Sequence, residues 1–236
     1  MARWVAAGVR HAVLLRVLPV VQHDLATPVS VLRMTALVLK RKLADTSVDV
    51  DYCIERAGAF DQQCDALMRV SQRLSGWGVA AESGLITRPV LVEQCVSLLR
   101  PLLELSGVTV EIDPALDRIA ADASSRRLGA APALRYLLLA SICHLHDSTA
   151  NLVRIAIAPD GDDALRLSVL TGAGNTFASP DDADANADGE RIRIDAAALL
   201  HLAFDLERSV RLTESGIWLR LEPDQERSAD PGIAIE

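Results

Sequence analysis

The sequence predicts an α+β protein in which a helical hairpin precedes an α/β sandwich. Apolar residues follow two heptad patterns in the first third of the 236 residues, and the rest alternates helical patterns with short strand-like segments. Gly76 and Gly78 end the second heptad pattern and mark a boundary between the two parts. We therefore expect a hairpin domain over 1–78, a linker over 79–89, an α/β domain over 90–223 and a tail over 224–236.

A heptad seam predicts each helix of the hairpin, because apolar or small residues recur at alternating spacings of four and three. The first seam consists of Leu18, Gln22, Leu25, Val29, Leu32, Ala36, Leu39 and Leu43, and the second of Cys53, Ala57, Phe60, Cys64, Leu67, Ser71 and Leu74. The polar segment 45–49 between them is rich in residues that cap helix N-termini. Since two helices alone cannot bury both stripes well, we expect a homodimer through residues 12–76 that forms a four-helix bundle.

The second part of the sequence has the patterns of a small sheet with helices. Helical periodicity predicts helices over 90–105, 130–146 and 195–209. Alternating apolar residues predict strands over 108–112, 152–158, 165–170, 209–212 and 217–221. Helices and mostly antiparallel strands in this order predict an α/β sandwich.

Composition and charge exclude several classes of protein. Half of the residues are hydrophobic and 24% are charged, which excludes a disordered chain. The net charge of −8 argues against nucleic acid as the main partner. The four cysteines form no CxxC pair, which favours a reduced, cytoplasmic protein. Arg3, Arg10 and Arg16 interrupt the apolar N-terminal region, so we expect no membrane partner.

The segment from His23 to Pro28, His-Asp-Leu-Ala-Thr-Pro, carries the residues of a possible reaction. On a helical wheel His23 points away from the seam and is expected to be exposed, so its imidazole offers a nucleophilic nitrogen near neutral pH. Asp24 is placed to accept the other ring N–H and to stabilise positive charge. Thr27 lies one turn further on, where its hydroxyl could orient a water molecule. Pro28 removes one backbone hydrogen bond just after the site.

This segment, together with Val31-Leu32, resembles the H-box of two-component sensor histidine kinases. In that family the histidine is phosphorylated, and it lies in the first helix of a dimeric hairpin. The order of elements after the hairpin looks like the GHKL-type ATP-binding domain of the same kinases. The resemblance implies that His23 is a phosphoacceptor and that Asp24 and Thr27 assist it.

The chain departs from that family at the positions that hold ATP. Two asparagines on the long helix bind Mg²⁺ and phosphate in the family, and Leu139 and Cys143 stand at those places here. The adenine-binding aspartate of the first glycine box is replaced by Leu170. The second box, at 191–197, contains no glycine. Leucine, alanine and cysteine cannot hold metal or phosphate at these positions, so no cofactor is expected.

A kinase-like hairpin with a degenerate ATPase-like domain resembles the dimeric histidine phosphotransferases of the ChpT type. The resemblance implies that His23 takes a phosphoryl group from one receiver-domain aspartate and passes it to another, with an upstream hybrid histidine kinase and response regulators as partners. Mg²⁺ would then be supplied by the receiver. Two alternatives remain open: a non-catalytic pseudokinase scaffold that binds a response regulator, and an ATP-dependent sensor histidine kinase.

The helix face around His23 carries more apolar side chains than is usual for a solvent-exposed face. We expect a partner-docking strip formed by Arg16, Val20, Ser30, Val31, Met34 and Val38. One weaker signal lies in the acidic loop 181–190, where Asp184 to Asp195 follows the spacing of an EF-hand loop with aspartate in its last position. A solvated acidic loop explains the same residues, so we expect no metal site.

Overall fold

The computed structural model describes residues 2–44, 47, 49–75, 85–116, 128–172 and 192–222. It divides into two compact units. One comprises Met1–Arg16 together with Glu82–Glu236, and the other is Val17–Ala81. The sequence instead predicts that the whole of 1–78 forms the hairpin domain, so the first turns of the chain belong to a different unit than expected.

Two long helices form the hairpin unit. Helix α1 spans Ala2–Leu43 and helix α2 spans Val50–Ser75. Asp49 caps α2, because its carboxylate accepts a hydrogen bond from the backbone N–H of Tyr52 at 3.0 Å. Helix α1 continues through Pro19 and Pro28, so neither proline ends it. The heptad seams thus predicted both helices, but α1 begins well before its seam.

Within the described residues, the α/β unit contains a five-stranded sheet and three further helices, two of them long. The helices are α3 at Arg88–Leu105, α4 at Ala131–Ser148 and α5 at Ala196–Asp205. The strands are β1 at Thr109–Ile112, β2 at Leu152–Asp160, β3 at Ala164–Thr171, β4 at Val210–Thr213 and β5 at Gly216–Arg220. Their order in the sheet is β1-β2-β3-β5-β4. Only β1 pairs in parallel, with β2, and the other neighbours are antiparallel.

The core of this unit lies between one face of the sheet and the helices. Alternate residues of β2, β3 and β5 are buried, namely Ile155, Ile157, Leu165, Leu167, Ile217 and Leu219. Helix α3 packs on α4, and α4 packs on α5. Almost every residue of α4 up to Leu145 is buried, which makes it the central helix.

The N-terminal part of α1 is the fourth helical segment of the α/β unit. Its buried face consists of Ala6, Val9, Ala12 and Val13. Two ion pairs extend this face: Arg10 contacts Asp205 at the end of α5 at 2.6 Å, and Arg16 contacts Asp147 near the end of α4 at 2.7 Å. The heptad pattern did not predict this packing, because the seam begins only at Leu18.

Among the residues that the structure describes, one helix is long and apolar enough to cross a membrane. It is α1, over Arg3–Leu43, although 39% of its most apolar window is buried within the chain. The expectation that arginines would break every candidate is therefore wrong for this helix. Core helices of soluble proteins share this length and apolar composition.

Candidate functional site

His23 presents an accessible imidazole on α1. Its side chain is 81% exposed, as the helical wheel predicts. No hydrogen bond of the described residues involves a ring nitrogen of His23, so no neighbouring group fixes the orientation of the ring. A ring with this freedom is available to a macromolecule that brings its own reactive group.

Asp24 lies beside the imidazole but does not hydrogen-bond to it. The distance from His23 Nδ1 to the Asp24 Oδ1 atom is 3.8 Å, and the carboxylate is 40% exposed. This separation exceeds a hydrogen bond, so the tautomer is not fixed in this arrangement. The carboxylate is nevertheless close enough to stabilise a positive charge on the ring.

Thr27 is bonded to the backbone rather than to the imidazole. Its hydroxyl donates to the carbonyl oxygen of His23 at 3.0 Å. Threonine side chains in helices often donate in this way to the carbonyl oxygen four residues earlier. The hydroxyl oxygen keeps its acceptor lone pairs, and the residue is exposed.

The residues of the expected docking strip differ in exposure. Ser30, Val31 and Met34 are exposed, the last two to 40% and 64%. Val20 and Val38 are half-buried. Val20 precedes His23 and the other four residues follow it, all at helical spacing, so the five share its side of α1. Leu37, exposed to 56%, lies next to the strip and was missed, because it belongs neither to the heptad seam nor to the expected strip.

Arg16 does not belong to the strip. Its side chain is only 4% exposed, and its Nη2 atom donates to Asp147 at 2.7 Å and to the Ile192 carbonyl at 2.9 Å. Burial by itself lowers the pKa of Arg16, but Cys143 and Asp147 more than offset this and raise it. The wheel placed Arg16 on the outward face correctly, but it could not show that this turn packs within the α/β unit.

Asp147 is the centre of a buried polar cluster in the α/β unit. Besides Arg16, it accepts the backbone N–H of Ile194 at 2.9 Å, and His146 lies 3.6 Å from its other oxygen. Burial raises the pKa of Asp147, yet the bonds from His146, Ile194 and Arg16 outweigh it and lower the pKa overall. His144 completes the cluster through a 2.7 Å contact between its Nδ1 and the Ile194 carbonyl.

The positions that the family resemblance implies for ATP ligands lie on α4 and β3. Leu139 is fully buried and Cys143 is 2% exposed, both on the central helix α4. Leu170 is 51% exposed near the end of β3. Among the described residues there is no group of three or more His, Cys, Asp or Glu that could hold a metal ion. Most of the acidic loop, including 181–190, lies outside the described residues.

Comparison with known proteins gives only distant structural similarity. No family model matches the sequence, and no curated protein matches it. The histidine kinase AdeS of Acinetobacter baumannii aligns over 85% of this chain and 98% of its own, with 14% identity and a TM-score of 0.36. The histidine kinase ThkA, in a complex with the response regulator protein TrrA, aligns over 92% of this chain and 64% of its own, with 12% identity and a TM-score of 0.34. Such low scores do not assign an activity.

Proposed function

We propose that this chain is a cytoplasmic histidine phosphotransferase of a two-component phosphorelay. The single observation that carries the proposal is the exposed imidazole of His23 within the segment His-Asp-Leu-Ala-Thr-Pro, on a long helix that returns through a hairpin. The partners would be receiver domains of response regulators and an upstream hybrid histidine kinase.

The proposed step is a transfer between an aspartyl phosphate and His23. Nδ1 faces Asp24, which leaves Nε2 as the attacking nitrogen. The lone pair of Nε2 forms a bond to phosphorus while the bond from phosphorus to the aspartyl oxygen breaks, and the receiver recovers its carboxylate. Asp24 stabilises the positive charge that develops on the ring, and the Nδ1 proton is released to water. The reverse step returns the phosphoryl group to a receiver.

This reaction requires little from the chain beyond positioning. The receiver would supply Mg²⁺ and the acidic pocket that activates the phosphoryl group. The apolar strip beside His23, defined as Val20, Ser30, Val31, Met34 and Val38, would bind the receiver and align its aspartate with the imidazole. Thr27 would support loss of the phosphoryl group to water.

The active form in this proposal is a homodimer. Several seam residues of the single chain remain substantially exposed, among them Leu18 at 47%, Val29 at 51% and Leu43 at 59%. A stripe of large apolar side chains at heptad spacing favours pairing with a second copy into a four-helix bundle. The second candidate function, a non-catalytic scaffold, uses the same strip without phosphoryl transfer.

The decisive experiment follows labelled phosphate from phosphorylated receiver domains. We expect an acid-labile, base-stable adduct on the wild-type protein. His23→Gln should abolish it and leave the dimer intact, whereas Asp24→Asn should slow it without abolishing it, because charge stabilisation is weaker. A labelled His23→Gln variant would show that the site is wrong. Receivers that bind the wild type but never label it would favour the scaffold.

A further inference from the structure

A groove separates helix α5 from strand β4 in the α/β unit. Its volume is about 530 Å³, and it is lined by Leu200 and Phe204 from the helix, Arg208 from the connection, and Val210 and Arg211 from the strand. His23 lies on the hairpin unit and takes no part in it. The groove therefore needs an explanation separate from phosphoryl transfer.

One wall of the groove is the edge of the sheet. Strand β4 pairs with β5 and is last in the strand order of the described chain. The N–H of Arg220 bonds to the Ser209 carbonyl at 3.0 Å, which fixes the alternation of antiparallel pairs along the hairpin. By that alternation the backbone N–H and C=O groups of Val210 and Leu212 point away from β5. They form a template to which another strand can add.

The other wall is apolar and exposed. Leu200 is 45% exposed and Phe204 is 60% exposed, and they lie one helical turn apart on α5. Large apolar side chains beside an open strand edge form the kind of groove in which an extended segment places alternate side chains. The open groove does not enclose a small molecule, whereas an added strand would contact both walls.

Arg208 gives the groove a preference for charge. The residue is only 7% exposed, and its Nη1 atom donates a hydrogen bond to the Glu207 carbonyl oxygen at 3.0 Å. Its buried Nε atom has no hydrogen-bond partner among the described residues. Glu207 and Glu222 lie near enough to act on the charge of Arg208, but neither accepts from this Nε donor, a cost in free energy that an incoming carboxylate would recover. Arg211, whose guanidinium lies 5.1 Å from the Trp218 ring, adds a second cation at the rim.

We infer that this groove binds an extended acidic segment of a partner protein, which adds to β4 as a further strand. One apolar side chain of that segment contacts Leu200 and Phe204, and an aspartate or glutamate beside it accepts from Arg208. A second copy of this chain is a poorer occupant, because pairing β4 with itself would bring two Arg208–Arg211 sets together. The inference does not depend on the proposed function.

The test is a selection of displayed random decapeptides on the full chain, with a Phe204→Glu variant for counterselection. We expect enriched peptides in which apolar and acidic residues alternate. In fluorescence anisotropy the peptide selected should bind Phe204→Glu at least about tenfold more weakly. Leu212→Pro, which removes one outward N–H and spares the bonds to β5, should weaken binding as well.

A matched control is Leu105→Glu at the end of α3, since Leu105 is 89% exposed but lies outside the groove. It should bind the peptide as the wild type does. The inference is overturned if no peptide is enriched over the Phe204→Glu variant, or if the enriched peptides carry no acidic residue. It is also overturned if Leu212→Pro changes the oligomeric state, because a second copy would then occupy the edge.

Discussion

At the scale of single residues, Asp147 is the group whose ionisation matters most to stability. Its lowered pKa means that the folded state holds the carboxylate charged more strongly than the unfolded chain does. The resulting stabilisation is present above the unfolded pKa of about 3.9 and is lost as the pH falls through the folded value. The Asp147 and Arg16 side chains are only 7% and 4% exposed, so water cannot stabilise either charge if the other is removed.

We therefore predict that Asp147→Asn lowers the free energy of unfolding by about 3–5 kcal/mol near neutral pH, because Arg16 is left buried without its counter-charge. Urea unfolding at several pH values measures it. The difference from the wild type should shrink as the pH falls below the range in which the wild-type carboxylate is ionised. Asp65→Asn, at an exposed position of α2, is the control and should change little. A constant difference at all pH values would contradict the role of the ion pair.

The helical pattern predicted the exposure of the His23 side chain but not the burial of Arg16, for one physical reason. A helical wheel assigns each side chain to a face, and the exposure of His23 follows from that alone. It does not reveal which faces other parts of the chain cover. The burial of Arg16 depends on Asp147, which is 131 positions away and is reached only through the fold.

At the scale of elements, the proposed homodimer and the proposed receiver docking assign separable roles to the two faces of α1. Val29 lies on the heptad seam and Met34 lies on the docking strip, and both are more than half exposed in the single chain. We predict that Val29→Asp dissociates the dimer, since a charge in an apolar interface is costly. Met34→Glu should keep the dimer and weaken receiver binding by about tenfold.

Sedimentation velocity and receiver binding, measured on both variants, distinguish the two faces. Each variant is the control for the other, because both introduce one acidic side chain at an exposed apolar position of the same helix. If both variants dissociate, or if neither does, the separation of seam and strip is wrong.

The elements themselves were largely predictable, because most boundaries follow from local chemistry. Asp195 illustrates this: its carboxylate accepts the Ala198 N–H at 2.7 Å, and α5 begins at the next residue. Helix α3 begins at Arg88, two residues earlier than expected, because Pro89 suits the first turn of a helix. Strand order could not be read from the sequence, since pairing β3 with β5 depends on contacts distant in the chain.

At the scale of the whole molecule, the α/β unit is predicted to work without nucleotide. Leu139, Cys143 and Leu170 offer no ligand to phosphate, metal or adenine at the positions implied by the family resemblance. ATP with Mg²⁺ should therefore show no binding tighter than a Kd of about 1 mM, or about 4 kcal/mol, in calorimetric titration. A tighter complex, or autophosphorylation of His23 from ATP, would favour the sensor kinase instead.

The division of α1 between two units has a consequence for how the protein is made. The α/β unit begins with Met1–Arg16 and resumes only at Glu82, so the hairpin is an insertion within it. During synthesis both hairpin helices are complete before Asp147 and Asp205 have been made. Arg10 and Arg16, in the first turns of α1, can therefore form their ion pairs only later. Folding of the α/β unit thus closes a long loop late, a feature that slows folding. A shortened gene that joins residue 16 to residue 82 would encode that unit as one continuous stretch.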